Sequence, residues 1–220
     1  KTTIDAACIG EGEDALLQYL QTDGACANNI VGKKNTPVER YNNLMDLDRM
    51  PFPDREIVYA EEPYLKRMKY RMFLSGRGCP YNCAYCHNHI FNNRFKDCGK
   101  IVRKKSVDYF IEEIKQVVTK YDPNLIVMQD DTFIIDGNWL FEFCEKYKKV
   151  INKPFSCFIR ADLVTEEIIR NLKMSGCVCC AWSIESGNDY LRNKILNRNI
   201  SREEIIRTAD LLNKYGIKHR

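Results

Sequence analysis

The sequence predicts an α/β fold with parallel strands covered by helices, and three observations carry that reading. Short, continuously apolar runs recur after residue 70, amphipathic stretches at helical spacing separate them, and each run ends in a polar or charged residue. Strands that are apolar throughout are buried on both faces, which is the condition of a parallel sheet whose crossovers are helices. A doubly wound sheet and part of a (β/α) barrel both satisfy the pattern. In both, ligands collect at the carboxyl ends of the strands.

Before residue 70 the pattern is different. IDAACIGEGEDALLQYL (4–20) reads as a short apolar strand, a glycine turn and an acidic helix start, the end of an α/β unit. DLDRMPFPDRE (46–56), with Pro51 and Pro53, reads as an extended linker. The organisation expected is therefore an α/β remnant plus linker over 1–50, a linker over 51–69, and a core over 70–220. The chain starts at Lys1 and runs to Arg220 straight after YGIKH, so it reads as an excerpt of a longer protein.

Within the core, YRMFL (70–74) is the first strand, and Val107, Phe110, Ile111, Ile114, Val117, Val118 and Tyr121 follow at helical spacing. LIVMQ (125–129) is the second strand, followed by a helix with Trp139, Leu140, Phe143, Cys144 and Tyr147 on one face. FSCFI (155–159) is the third, with a helix from Thr165 that stops at Gly176. VCCAWSI (178–184) is the fourth, and the last helix opens on Ser201 with Glu204 three residues on, a capping box, and ends before Gly216. Ile217 starts a fifth strand. The strand ends bring a cysteine-rich loop, Asp130 with Asp131, Arg160, and Glu185 with Ser186 to one rim.

Composition excludes several classes. The formal charge is 34 − 30 = +4, and the lysines and arginines are scattered, so there is no nucleic-acid signature. No apolar run approaches the roughly 20 residues of a membrane span, and no signal peptide opens the chain, so a cytoplasmic location is expected. Of the eleven cysteines, Cys144, Cys157, Cys177, Cys179 and Cys180 lie in apolar runs and read as packed thiols.

The other cysteine feature is chemical. GRGCPYNCAYCHN (76–88) brings Cys79, Cys83 and Cys86 together in one loop. Thiolates are soft ligands suited to iron–sulfur clusters and zinc. A closed zinc site takes four ligands. His87 or His89 could supply the fourth, so a non-catalytic zinc-binding module is the alternative, although one short loop is a poor wrapping for one ion. Three ligands on a cubane would leave one iron open.

CxxxCxΦC with an aromatic Φ, here Cys79, Cys83, Tyr85 and Cys86, resembles the cluster motif of the radical S-adenosylmethionine (SAM) enzymes. The likeness extends further: GEGEDALLQYL before a proline linker is similar to the junction after a cobalamin-binding domain, and DDTF (130–133), IESGN (184–188) and ILNRNIS (195–201) resemble later motifs of the cobalamin-dependent subgroup. The resemblance implies a partial (β/α) barrel of the radical SAM type, lacking its final strands and preceded by the remnant of a cobalamin-binding-like domain. It implies a 4Fe-4S cluster on Cys79, Cys83 and Cys86, SAM on its open iron, and cobalamin as a further candidate cofactor. An electron passed to the sulfonium would then release a 5′-deoxyadenosyl radical. By position, Tyr85 packs near the adenine, Asp130 and Asp131 take the methionine amino group, Glu185 and Ser186 touch ribose or amino groups, and Arg198 pairs with the carboxylate, with Arg160 a second candidate for that charge. Arg192, six residues before Arg198, reads as a charge on a solvated helix. The reaction implied is methyl transfer, with ring formation or rearrangement close behind. The electron donor would be reduced ferredoxin or flavodoxin, and the substrate a small molecule or peptide. A methylthiotransferase needs three further upstream cysteines, where only Cys8 and Cys26 lie, and the cobalt-ligating DxHxxG motif is absent.

Overall fold

The computed structural model describes residues 4–24, 28–32, 38 and 41–220, so Cys26 lies outside the described residues. The amino-terminal part is a small unit: β1 (Ala6–Cys8) and β2 (Ile30–Gly32) pair antiparallel, with α1 (Glu13–Gln21) between them in the chain. Helix α1 buries only Ala15 and leaves Leu16, Leu17 and Leu20 more than half exposed.

The segment expected to be a linker carries local structure. A 3-10 turn at Leu47–Arg49 buries Leu47, and α2 (Arg55–Glu61) and α3 (Pro63–Arg67) follow. Asp54 caps α2 by accepting the Glu56 N–H at 3.0 Å, and Pro63 sits in the first turn of α3, where no N–H is needed. Several bonds hold the segment to the core, among them Arg55 to the Met72 carbonyl at 2.8 Å and the Tyr121 hydroxyl to Glu56 at 2.5 Å. The Ser106 N–H donates to Asp48 at 2.8 Å, and the Tyr109 hydroxyl donates to the Met50 carbonyl.

The core follows the expected alternation with one insertion. Strand β3 (Tyr70–Phe73) is followed by β4 (Gly76–Arg77), α4 (Asn88–Phe95) and β5 (Arg103–Lys104), where β4 and β5 form a short antiparallel ribbon. Then come α5 (Val107–Tyr121), β6 (Leu125–Met128), α6 (Gly137–Val150), β7 (Phe155–Phe158), α7 (Glu166–Ser175), β8 (Cys177–Ala181), α8 (Arg202–Lys214) and β9 (Lys218–His219). The sheet runs β3-β6-β7-β8-β9 and every pairing in it is parallel.

Each crossover helix starts on a side-chain cap, Ser106, Asp136, Thr165 or Ser201, and the last has the reciprocal Glu204 of a capping box. Helix α7 ends at Gly176 in the left-handed region, φ +104°. The helices bury one face of the sheet, where Phe73, Ile126, Met128 and Phe155 meet Phe110, Phe143 and Leu172. The other face is open at Met72 and Leu74, each nearly half exposed. No described helix is long and apolar enough to cross a membrane.

A half-buried ion cluster joins the amino-terminal unit to the ribbon. The Glu11 carboxylate accepts from Arg103 at 2.5 and 3.0 Å and pairs with Arg77 at 3.0 Å, while Glu13 pairs with Arg77 at 2.5 Å. Burial alone would raise the Glu11 pKa, but the hydrogen bonds and charges of Arg103 and Arg77 outweigh it and hold the carboxyl below its usual range. Glu13 is lowered too, first by its bond to Arg77. A carboxyl whose folded pKa is depressed stabilises above its unfolded pKa, about 4.3, and loses that contribution as pH falls through the folded value. Amide exchange over 6–21 should therefore accelerate below about pH 4, ahead of the core helices. Glu11→Gln should show the same loosening at neutral pH, and equal protection in both proteins across the range would remove the clamp.

Candidate active site at the carboxyl ends of the strands

The loop that carries the three cysteines is framed by the ribbon. Gly76 and Gly78 make the framing possible: a Cβ on Gly76 would stand 2.5 Å from the Arg103 carbonyl oxygen, and one on Gly78, at φ +86°, 2.3 Å from that of Ile101. Inside the loop the Cys86 N–H donates to the Cys83 carbonyl at 3.0 Å, and Asn92 of α4 donates to the Cys79 carbonyl at 2.8 Å. Two bonds to main-chain carbonyls tie the loop to the segment after β8, from the Ala84 N–H to the Leu196 carbonyl and from the Asn197 amide to the Asn82 carbonyl.

Cys79, Cys83 and Cys86 line a cavity of about 420 Å³ together with Tyr85, Asp131, Arg160, Glu185 and Arg198. The loop follows β3 and the first ribbon strand, Asp131, Arg160 and Glu185 follow β6, β7 and β8, and Arg198 comes from the segment before α8, so part of the rim expected from the sequence meets at one cavity. The Tyr85 hydroxyl donates to Glu185 at 2.7 Å and accepts from Arg198 at 2.9 Å. Burial first, and then the Glu185 bond, raise the Tyr85 pKa, so the phenol stays protonated. Glu185 is held at φ +64°, a strained conformation for a residue with a Cβ and one found most often at functional sites. Arg198 also donates to the Ser183 carbonyl at 3.0 Å, and its buried Nε has no partner among the described residues.

Two candidates do not reach the cavity lining. The Asp130 carboxylate is buried and accepts from the Ser75 hydroxyl at 2.5 Å and N–H at 3.1 Å, with Lys104 at 3.3 Å. Lys104 in turn donates to the Phe133 carbonyl at 3.1 Å, so this network ties β3, the ribbon and the turn after β6 together. Ser186 spends its hydroxyl on the Asn188 N–H and its carbonyl on Arg192. Asp131 does line the cavity and accepts from Asn88 at 3.1 Å.

Arg192 corrects the sequence reading of a solvated charge. It is 1 % exposed and donates to the Ile200 and Ser186 carbonyls, both at 2.8 Å, and to Asp189 at 2.6 Å. The reason is a π-helical turn over Leu191–Ile195, which carries Arg192 inward against a cluster of carbonyls. Asn197 and Asn199 then adopt left-handed φ near +50°, which asparagine tolerates, and the Arg198 N–H returns to the Arg192 carbonyl at 3.0 Å.

A second cysteine group is distinct from the loop. The sulfurs of Cys157, Cys177 and Cys180 lie within 4.8 Å of one another, but all three are buried among the helix-facing core residues. With Cys144 they are packed thiols, as their apolar surroundings in the sequence imply. A second cavity of about 380 Å³ lies between the Gly10–Gly12 turn and α4, lined by Arg77, His87 and Phe91 among others, and it shares Asn88 and Asp131 with the first.

The family profile of the Radical SAM superfamily matches residues 73–219. The chain is 22 % identical to an uncharacterized methyltransferase of Pyrococcus horikoshii, over 97 % of this chain and 47 % of that protein. It is 27 % identical to a putative methylthiotransferase of Methanocaldococcus jannaschii, over 98 % of this chain and 47 % of that protein. It thus spans about half the length of these curated relatives. Among solved structures it is similar in fold to the radical SAM methyltransferase TsrM of Kitasatospora setae with cobalamin and a [4Fe-4S] cluster bound. The TM-score is 0.74 at 13 % identity, covering 98 % of this chain and 45 % of that one. A parallel α/β core, a CxxxCxΦC loop on its carboxyl rim and a family match over most of the chain lead to one assignment: the protein belongs to the Radical SAM superfamily, whose members work with a 4Fe-4S cluster and SAM.

Proposed function

We propose that the chain is part of a cobalamin-dependent radical SAM methyltransferase. The observation that carries the reading is that three loop thiols, a Tyr85–Glu185–Arg198 hydrogen-bonded set and Asp131 line a single cavity. The donor set fits the cluster. All three cysteines line the cavity, and two guanidiniums approach Cys83 Sγ, Arg160 at 3.5 Å and Arg198 at 4.0 Å, cations beside a sulfur that would be a cluster ligand. When bound, the cluster supplies the electron for reductive SAM chemistry. Cys79, Cys83 and Cys86 would hold it, Arg198 would pair with the methionine carboxylate, and Asp131 and Glu185 would face the ammonium, as a zwitterion requires. The Tyr85 ring would pack near the adenine.

The second cavity, which shares Asn88 and Asp131 with the first, is proposed as the side from which a cobalamin would approach the site; at about 380 Å³ it would take only an edge of that cofactor. The fold likeness to a cobalamin-bound methyltransferase over 98 % of the chain and the exposed leucines of α1 support reading residues 1–50 as part of a cobalamin-binding-like domain. Radical SAM enzymes need a reductant, and here reduced ferredoxin or flavodoxin is proposed, with a small molecule or peptide as methyl acceptor.

Anaerobic reconstitution tests the reading. About four iron and four sulfide per chain are expected, with an electron-paramagnetic signal that changes on adding SAM. Cys180→Ala, in the buried group, should keep the full signal. One zinc per chain with no sulfide would establish the zinc module instead.

A further inference from the structure

Arg160 ends β7 and is buried, 3 % exposed. Its guanidinium lies over the Tyr81 ring, 3.6 Å from the centroid. Nη1 donates to Cys83 Sγ at 3.5 Å, Nη2 donates to the Arg198 carbonyl, and Nε faces the Asp162 carboxylate at 2.8 Å. Nη1 and Nη2 are therefore each hydrogen-bonded within the protein, Nε lies in ion-pair contact with Asp162 outside hydrogen-bond geometry, and one face is covered by an aromatic ring. Those contacts turn the guanidinium toward protein groups and away from the methionine carboxylate of SAM, the role the family resemblance offers it. What it does instead is fix one permanent positive charge, with a donor aimed at the sulfur, against the middle thiol of the loop.

From this geometry we infer that Arg160 is a positioning residue that sets the reduction potential of the cluster on Cys83, with Asp162 as its opposing charge. The inference rests on the proposal that the cluster is held by Cys79, Cys83 and Cys86. One-electron reduction of the cluster by a low-potential donor adds one negative charge to it and its thiolates. A fixed cation and an N–H···S bond stabilise that reduced form more than the oxidised one, which raises the potential. Arginine cannot shed its proton to escape the burial, and in a site of low effective dielectric the interaction is weakly screened. The planar guanidinium also explains why arginine stands here: it stacks on Tyr81 while reaching a sulfur, a carbonyl and a carboxylate, which a lysine ammonium could not do. Asp162, 18 % exposed at its side chain, works in the other direction by cancelling part of that charge.

Potentiometric titration with dithionite and mediators, read by the electron-paramagnetic signal of the reduced cluster without SAM, tests this directly. The readout is a midpoint potential and not an activity. Arg160→Gln keeps an N–H donor but removes the charge. The reduced-to-oxidised ratio at the wild-type midpoint should fall about tenfold, a shift of roughly 59 mV to the negative for one electron. Asp162→Asn should shift the potential to the positive. General loosening of the site would move both variants the same way, so opposite signs are the signature. Equal midpoints in all three proteins, or shifts of one sign, would overturn the inference. If Arg160→Gln does not fold, the sign of the Asp162→Asn shift decides alone, and a null or negative shift refutes it. A wild-type protein that takes up no cluster would instead overturn the cluster assignment itself, and is told apart by its iron content before any titration.

Discussion

The Cys83→Ala variant is expected to take up no 4Fe-4S cluster on anaerobic reconstitution and to show no reductive cleavage of SAM. Three thiolates are the only protein ligands proposed, so losing one leaves two irons of the cubane without a protein thiolate. Cys83 is also the best buried of the three, 5 % exposed, and the one both guanidiniums approach. Its loss therefore removes a ligand and the anion that Arg160 and Arg198 face. The fold should survive, because the parallel sheet and α5 to α8 pack without the loop. Far-ultraviolet circular dichroism separates that outcome from unfolding. Cys144→Ala makes the contrast: its thiol lies in the core, where burial pushes its pKa up to about 11 and keeps it protonated. Iron content should be unchanged there, with a packing cost on the order of 1–2 kcal/mol. A full cluster in Cys83→Ala would overturn the ligand set, and lost iron in Cys144→Ala would show that the core thiols take part.

How far the sequence reaches depends on the length over which a residue pattern repeats. The four βα units are legible because a strand buried on both faces and a helix buried on one leave patterns of five to fifteen residues, closed by caps such as Ser106, Thr165 and Ser201. The β4–β5 ribbon is not, since two residues per strand carry no periodicity; its only trace is Gly76 and Gly78, where a side chain would strike the opposing backbone. Helices α2 and α3 are hidden by Pro51 and Pro53, though Asp54 as a cap and Pro63 at a helix start are visible signals.

The candidate site shows the same limit at the level of single side chains. Asp130 and Asp131 are adjacent, and successive residues at a strand end point to opposite faces. Ile126 and Met128 are buried under the helices, so Asp130 continues their side and is drawn into the Ser75–Lys104 network, while Asp131 turns to the cavity. Extending the strand's alternation by two residues would have separated them. Along β7 the same parity puts Phe155, Cys157 and Ile159 in the core, and Ile159 reaches the cavity as well, beside Arg160. No pattern announces the π-helical turn that buries Arg192, because its five residues read equally well as the start of an ordinary amphipathic helix.

That turn sets up the last expected result, which separates SAM binding from cluster binding. Arg198→Ala removes the cation proposed for the methionine carboxylate and leaves the thiol loop intact. The loss of one charge-assisted partner is typically about 1.5–3 kcal/mol, or roughly tenfold to hundredfold weaker binding of SAM. The cluster should still form. Arg192→Ala should behave differently, because Arg192 does not line the cavity but bonds the carbonyls on both sides of the segment that does. The Ser186 carbonyl left unpaired costs about 1–3 kcal/mol, while the Ile200 carbonyl keeps the Asn193 amide at 3.1 Å, so the variant should melt earlier and loosen the left-handed Glu185 and the returning Arg198 together. Arg207→Ala, an exposed position on α8, is the control and should change neither quantity. Titrating the electron-paramagnetic signal of each reconstituted protein with SAM, beside a thermal melt, distinguishes the cases. Equal affinities in wild type, Arg198→Ala and Arg207→Ala would remove Arg198 from the site. An Arg192→Ala protein with wild-type melting would show that the π-helical turn is not what holds the rim in place.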